Sequence, residues 1–202
     1  MEQPHCGMTL AKPPRWAEAI LVHLVRREDE QNVTGDLLEE FRESKVPAIG
    51  VRRANRWYVA QVAATAWRLA AVFCITAALV HGWREAVDEL VPVASYVTRS
   101  VILTYSMFAI YVSAGFSTGW RTGRVAAGTF IAMLTSIIGW SGAWVVAAVL
   151  AAVRIPNRLF PGGVEEMFVL PLMILPLVVV LGTFGAVVGT ATRRIFPARR
   201  AG

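Results

Sequence analysis

VAAGTFIAMLTSIIGWSGAWVVAAVLAAV, residues Val125 to Val153, contains no Asp, Glu, Lys, Arg or His. About 20 apolar residues at 1.5 Å rise cross the roughly 30 Å of a bilayer's hydrocarbon, and a lone segment satisfies its own backbone there only as a helix. Ser100 to Trp120 and Met167 to Thr192 have the same character. A fourth run, Leu69 to Trp83, is shorter, and Arg68 sits one turn inside a start near Ala64. The stem of such an arginine lies along lipid while its guanidinium reaches the headgroups. The run reads either as a span or as an amphipathic helix lying on the surface. Three spans leave the two chain ends on opposite faces, and the charge pattern argues against that.

Of the 20 basic residues, ten lie between Lys12 and Arg68, two are Arg121 and Arg124, and four are Arg193, Arg194, Arg199 and Arg200. Only Arg84, Arg99, Arg154 and Arg158 remain for the other side. Short loops rich in Lys and Arg stay cytoplasmic, so both termini are expected inside and the number of spans is even. The net charge of +6 could suggest nucleic acid, but the basic residues flank hydrophobic helices instead of forming a stripe with stacking aromatics. Anionic membrane lipid is the expected partner, and nucleic acid is not. Cys6 in the polar start and Cys74 inside a span are not placed to pair, and neither disulfide nor metal site is indicated. No apolar h-region of a cleavable signal peptide occurs in the first sixty residues, so the first span is expected to serve as insertion signal.

Before the spans, Pro13 and Pro14 mark a helix entry, after which Trp16, Ile20 and Leu24 recur at intervals of four with Ala17 and Leu21 alongside. A second stripe, Val33, Leu37, Leu38 and Phe41, follows Glu28, Asp29 and Glu30, with Asp29 as a cap. These two helices predict a hairpin too small to stand alone, to be completed by the membrane, a third helix or another protein. Gly35 inside the second helix reads either as a close helix approach or as a fray. Pro47 and Gly50 mark a hinge. Arg52, Arg53, Arg56, Trp57 and Tyr58, together with Arg68, Arg193 and Arg194, read as anchors at the membrane interface. The acids Asp36, Glu39, Glu40 and Glu43 form either a solvated face or a surface for a partner protein.

Within the spans there is no Asp, Glu or Lys, which weakens an ion-coupled pump, and His81 reads as an interfacial histidine near the outer end of the first span. Gly182, Gly185 and Gly189, like Gly139 and Gly142, permit close helix contact, either within the chain or at the seam of a homo-oligomer. Pro171 and Pro176 are expected to bend the last span. Hydroxyls such as Thr104, Ser106, Thr135, Ser136 and Thr183 are explained by bonds to carbonyls. Ser, His and acid do not converge, and phosphate-binding loops, zinc spacings and dinucleotide turns are absent, so no enzyme, catalytic residue or cofactor is implied.

Pro13-Pro14-Arg15-Trp16-Ala17-Glu18, then Arg27-Glu28-Asp29 leading into Gly35-Asp36-Leu37-Leu38-Glu39-Glu40-Phe41, and finally Arg56-Trp57-Tyr58 with Gln61, resembles the permease prefix domain, type 2. That family is the small cytoplasmic helical module ahead of the membrane part in bacterial permeases of the macrolide-export and cell-division types. The match covers about residues 13–62. It implies a bacterial inner membrane, a cytoplasmic module beside the first span and association with a transporter partner. The larger permeases carry a big periplasmic domain between the first two spans, where this chain has only the short acidic loop around Glu85 to Glu89.

The expected fold is therefore an all-α membrane protein, a cytoplasmic helical hairpin followed by a four-helix transmembrane bundle. A disordered start covers 1–12, the prefix-like domain 13–62, the bundle 63–192 and a basic cytoplasmic tail 193–202. The spans are expected near 64–83, 100–120, 127–150 and 167–190. The expected function is a non-enzymatic accessory or interaction subunit of a permease system. A small permease for an apolar or amphipathic solute and a sensor of membrane state stand as alternatives.

Overall fold

A computed structural model describes residues 11–26, 28–90, 96–153 and 164–196. The expectations for most of 1–12, for the centres of the two loops expected on the outer side and for the end of the basic tail lie outside these residues. Seven α-helices and one π-helical segment are described: α1 (Arg15–Leu24), α2 (Glu30–Glu39), the π segment (Glu40–Lys45), α3 (Val46–Ile49), α4 (Val51–Leu90), α5 (Tyr96–Thr122), α6 (Val125–Ala152) and α7 (Val164–Ile195). They fall into two compact units, Met1–Arg68 and Leu69–Gly202. The helix α4 contributes to both.

In the first unit, α1 and α2 form the expected hairpin, and the start of α4 is the third helix that completes its core. Ala17 and Leu21 of α1, Phe41 of the π segment, and Ala54, Tyr58 and Val62 of α4 are buried together. The α4 contributors fall at i, i+4 and i+8, one face of a helix. Phe41 meets Tyr58 edge to face, with ring centroids 5.8 Å apart, a favoured geometry for two π quadrupoles. Trp16, expected on the buried stripe, is 57% exposed. The buried edge of α1 runs through Ala17, Leu21 and Leu24, so of the four-residue series Leu24 is buried, Ile20 half-buried and Trp16 outside it. Asp29 stands at the α2 N-cap without a side-chain capping bond. Gly35 has no atom within 4 Å of where a Cβ would stand, so no close helix approach explains it. Ala11 packs against the core and its carbonyl accepts from Arg42 Nε at 3.4 Å.

Pro47 is accommodated inside the helical run. Proline removes a backbone donor and crowds the carbonyl four residues back, and just before it the Val46 N–H reaches five residues back to the Phe41 carbonyl, the π pattern by which a helix takes up such a defect. The chain breaks at Gly50, whose φ of 76° ends α3 before α4 begins.

Four helices are long and apolar enough to cross a membrane, within Val51–Arg84, Ser100–Thr122, Val125–Val149 and Leu172–Ile195. The protein is a multi-pass membrane protein. At 40 residues, α4 is about 60 Å long, roughly twice the hydrocarbon thickness, so its first part is free to serve the first unit. In the second unit α5, α6 and α7 pack mutually, and α6 contacts α4 through Gly139 and Gly142. Small residues hold the seams. A Cβ on Gly115 would strike the Gly182 carbonyl, one on Gly185 the Val112 carbonyl, and one on Gly189 the Phe116 carbonyl. Gly142 is equally tight against Ala78. Lipid supplies no hydrophobic force between helices, so close backbone approach and dispersion hold them together.

The turn between α5 and α6 is Gly123 and Arg124. Gly123 has φ 72°, its N–H donates to the Gly119 carbonyl at 2.8 Å, and a Cβ there would lie 2.9 Å from Arg193 Nη1. Arg193 Nη1 in turn donates to the Arg121 carbonyl at 3.1 Å. A cation at the last turn of α5 meets the negative end of its dipole, so Arg193 closes the turn.

Candidate functional site

Two places gather chemistry, one in each unit. In the first unit α2 has no buried residue, and its Val33 is 41% exposed. Asp36, Glu39, Glu40 and Glu43 are exposed along the same helical run. Glu40 is engaged by Lys45 at 2.9 Å, and Lys45 Nζ also stands 5.0 Å from the centroid of the Trp57 ring. The acids left open on this face are therefore Asp36, Glu39 and Glu43.

The expected anchors separate. Arg52, Arg53, Arg56 and Arg68 are exposed, and Trp67 beside Arg68 is 46% exposed. Tyr58 is corrected: at 1% exposure it is a core residue of the first unit and does not present its ring to headgroups. The reason is its partner Phe41, which takes the ring that a short-range reading leaves to lipid. Trp57 is half-buried under Lys45. Arg194 is exposed, whereas Arg193 is half-buried in the α5–α6 turn.

In the second unit a polar node lies inside the bundle. His81 of α4, Tyr111 of α5, and Ser136 and Trp140 of α6 are all buried. His81 Nε2 is 3.3 Å from the Tyr111 hydroxyl, which also bonds Ser136. The His81 and Trp140 rings lie 4.6 Å apart at a tilt of 32°. Trp140 Nε1 is buried without a hydrogen-bond partner, and one turn beyond His81 the Arg84 Nη2 donates to Ser100 Oγ at 3.4 Å. His81 is thus buried in the bundle, where an interfacial histidine was expected. The sequence carried a signal for this: Ala70, Cys74, Ala77 and His81 follow at i, i+4, i+7 and i+11, one face whose other members are small.

The node can relay hydrogen bonds between helices. His81 and Ser136 both reach Tyr111, so imidazole and serine are bridged by a phenol. Cys74 Sγ lies 3.9 Å from Thr135 Oγ1, within the looser reach of sulfur. Among the described residues no three of His, Cys, Asp and Glu gather to hold a metal. Other bundle hydroxyls bond along their own helices, Ser106 to the Ile102 carbonyl and Thr122 to that of Thr118, while Thr129 and Thr183 join α6 to α7 at 3.0 Å.

Gly182, Gly185 and Gly189 of α7 lie on the seams with α5 and α6. The helix α7 continues past Pro171 and Pro176. On the outer face of the same unit an apolar groove of about 390 Å³ is lined by Phe73, Val112, Phe116, Phe184, Gly185 and Val188, together with Ser113 and Ser117. No known protein family matches the chain, and neither a curated protein nor a solved structure is significantly similar to it.

Proposed function

We propose that the chain is a non-enzymatic interaction subunit of a bacterial inner-membrane transport system, its permease-prefix-like first unit docking a basic partner segment in the cytoplasm. The observation that carries the reading is α2. A ten-residue helix with no buried side chain is marginal by itself in water. Its half-covered stripe, Val33, Leu37 and Leu38, beside Asp36, Glu39 and Glu43, suits a segment that presents apolar and basic side chains together. The inward orientation rests on the sixteen-to-four distribution of basic residues.

The test is photo-crosslinking in intact membranes from a probe at Val33, with a probe at exposed Ala19 as comparison. A discrete adduct from Val33, lost on Asp36→Lys with Glu39→Lys while insertion is unchanged, is the expected result. The same adduct from native and charge-reversed chains contradicts the reading.

A small permease is the second reading, and the His81 node favours it, because buried polar groups are costly in lipid and mark solute paths. Close contacts of Gly115, Gly128, Ala132, Gly182 and Ala186 across α5, α6 and α7 oppose it, since they leave the centre of these three helices filled. Flux into reconstituted vesicles that is lost on replacing Pro171 and Pro176 would favour the permease; absence of flux leaves the interaction subunit.

A further inference from the structure

We infer that the basic segment docked by α2 belongs to a second copy of this chain, Glu39 and Glu43 of one copy meeting Arg53 and Arg56 of another. The inference rests on the docking role proposed above and names its partner. Arg56, Ala60, Ala63 and Trp67 follow at i, i+4, i+7 and i+11 along α4, all exposed, with Arg52 and Arg53 at the head of the stripe. At about 100° per residue the stripe is centred roughly 180° from the buried row Ala54, Tyr58 and Val62. It is the back of α4, uncovered within the first unit. Across the core, Asp36, Glu39 and Glu43 turn outward while Phe41 turns in. Among the described residues none of these acids, and none of Arg52, Arg53 and Arg56, makes an ion pair. Within one copy the two rows do not meet, because the core lies between them.

Two copies in one bilayer bring them together, since rotation about the membrane normal leaves every layer at its own height. The Phe41 and Tyr58 rings, 5.8 Å apart, mark one such layer. The chain reverses at Gly50 between them, and Lys45 accordingly stands over Trp57, so Glu43 lies on the same side of that layer as Arg56 and Arg53. Glu43, Glu39 and Arg56 are each two residues from their ring, within about 3 Å along the axis and inside an arginine's reach. Toward the membrane both faces turn apolar, Val33 being 41% and Trp67 46% exposed. Val33 is eight residues from Phe41 and Trp67 nine from Tyr58, so these two share a level as well. Lipid is not the partner of the arginine row: Arg56 stands twelve residues before Arg68, about 18 Å, which exceeds the thickness of a headgroup layer. Single exposed ion pairs are weak, so the two charged rows and the flanking apolar contact act together.

Two differently tagged full-length copies, both with Cys6→Ser and Cys74→Ser, are co-expressed and treated with a short thiol crosslinker in intact membranes. Glu43→Cys on one copy and Arg56→Cys on the other are expected to give a mixed adduct, and Ala19→Cys with Arg56→Cys none. Chains carrying Glu39→Arg with Glu43→Arg, or Arg53→Glu with Arg56→Glu, are each expected to capture their own kind about tenfold less than the native chain when the two tags are co-purified. Mixing the two reversed chains restores capture, since each then offers the charge the other lacks. Helical content by circular dichroism, equal to that of the native chain, shows that both reversed chains have folded. Absence of the mixed adduct, reversed chains that self-capture like the native one, or folded reversed chains that do not rescue each other overturn the inference. A Val33 adduct to a different protein without capture between copies overturns it too and leaves the docking role in place. Absence of any Val33 adduct overturns both.

Discussion

The two units solve the same packing problem with opposite materials. The first buries rings and branched chains, Leu21, Phe41, Tyr58 and Val62, away from water. The second brings backbones together over Gly115, Gly142, Gly185 and Gly189 and leaves Val72, Leu79 and Met173 at least two-thirds exposed. In water the gain comes from removing apolar area from solvent, so large side chains belong inside. In lipid that gain is absent between helices, so large side chains face outward and close contact of small residues holds the seams. The exposed valines and leucines of the second unit are therefore its solvent-matched surface.

Substitutions chosen on either side of this contrast are expected to separate. Phe41→Ala removes the ring that closes the first core and should cost about 3–5 kcal/mol there, read as loss of protease resistance before Arg68 with the bundle intact. Gly185→Ala places a methyl against the Val112 carbonyl and should cost about 1–3 kcal/mol, read by thermal unfolding in detergent. Gly35→Ala enters open space on a helix and should stabilise the first unit by about 1 kcal/mol, so the same chemical change has opposite signs in the two units. Tyr111→Phe breaks the bridge between His81 and Ser136, and a buried interhelical hydrogen bond in a membrane bundle averages about 0.6 kcal/mol, so a small loss is expected in the same assay. If Gly185→Ala proved neutral while Gly35→Ala destabilised, the division between the units would fail.

Where sequence and structure meet follows from the range of each signal. The spans were legible because missing charge over twenty residues is a local property, and no tertiary contact is needed to read it. The α1 and α2 stripes were legible as helices, yet the exposed Trp16 was not, since only the third helix, α4, decides which edge of α1 is covered. Tyr58 beside Arg56 and Trp57 has the composition of an interface belt, and its burial depends on Phe41, seventeen residues earlier across a π turn. The His81 node was half legible: the small-residue face of α4 was in view, but Tyr111 and Trp140 come from other helices. Arg193 appeared as one of several tail cations, and its place over Gly123 needs the fold.

Four crossings put the first unit and the α5–α6 turn on one side of the membrane. Reporters of membrane sidedness fused at Met1, at Gly202 and in the Gly123–Arg124 turn test this most directly, with a further reporter between Leu90 and Tyr96. The first three are expected to face the cytoplasm and the fourth to face outward. Met1 and Gly202 on opposite faces would contradict it.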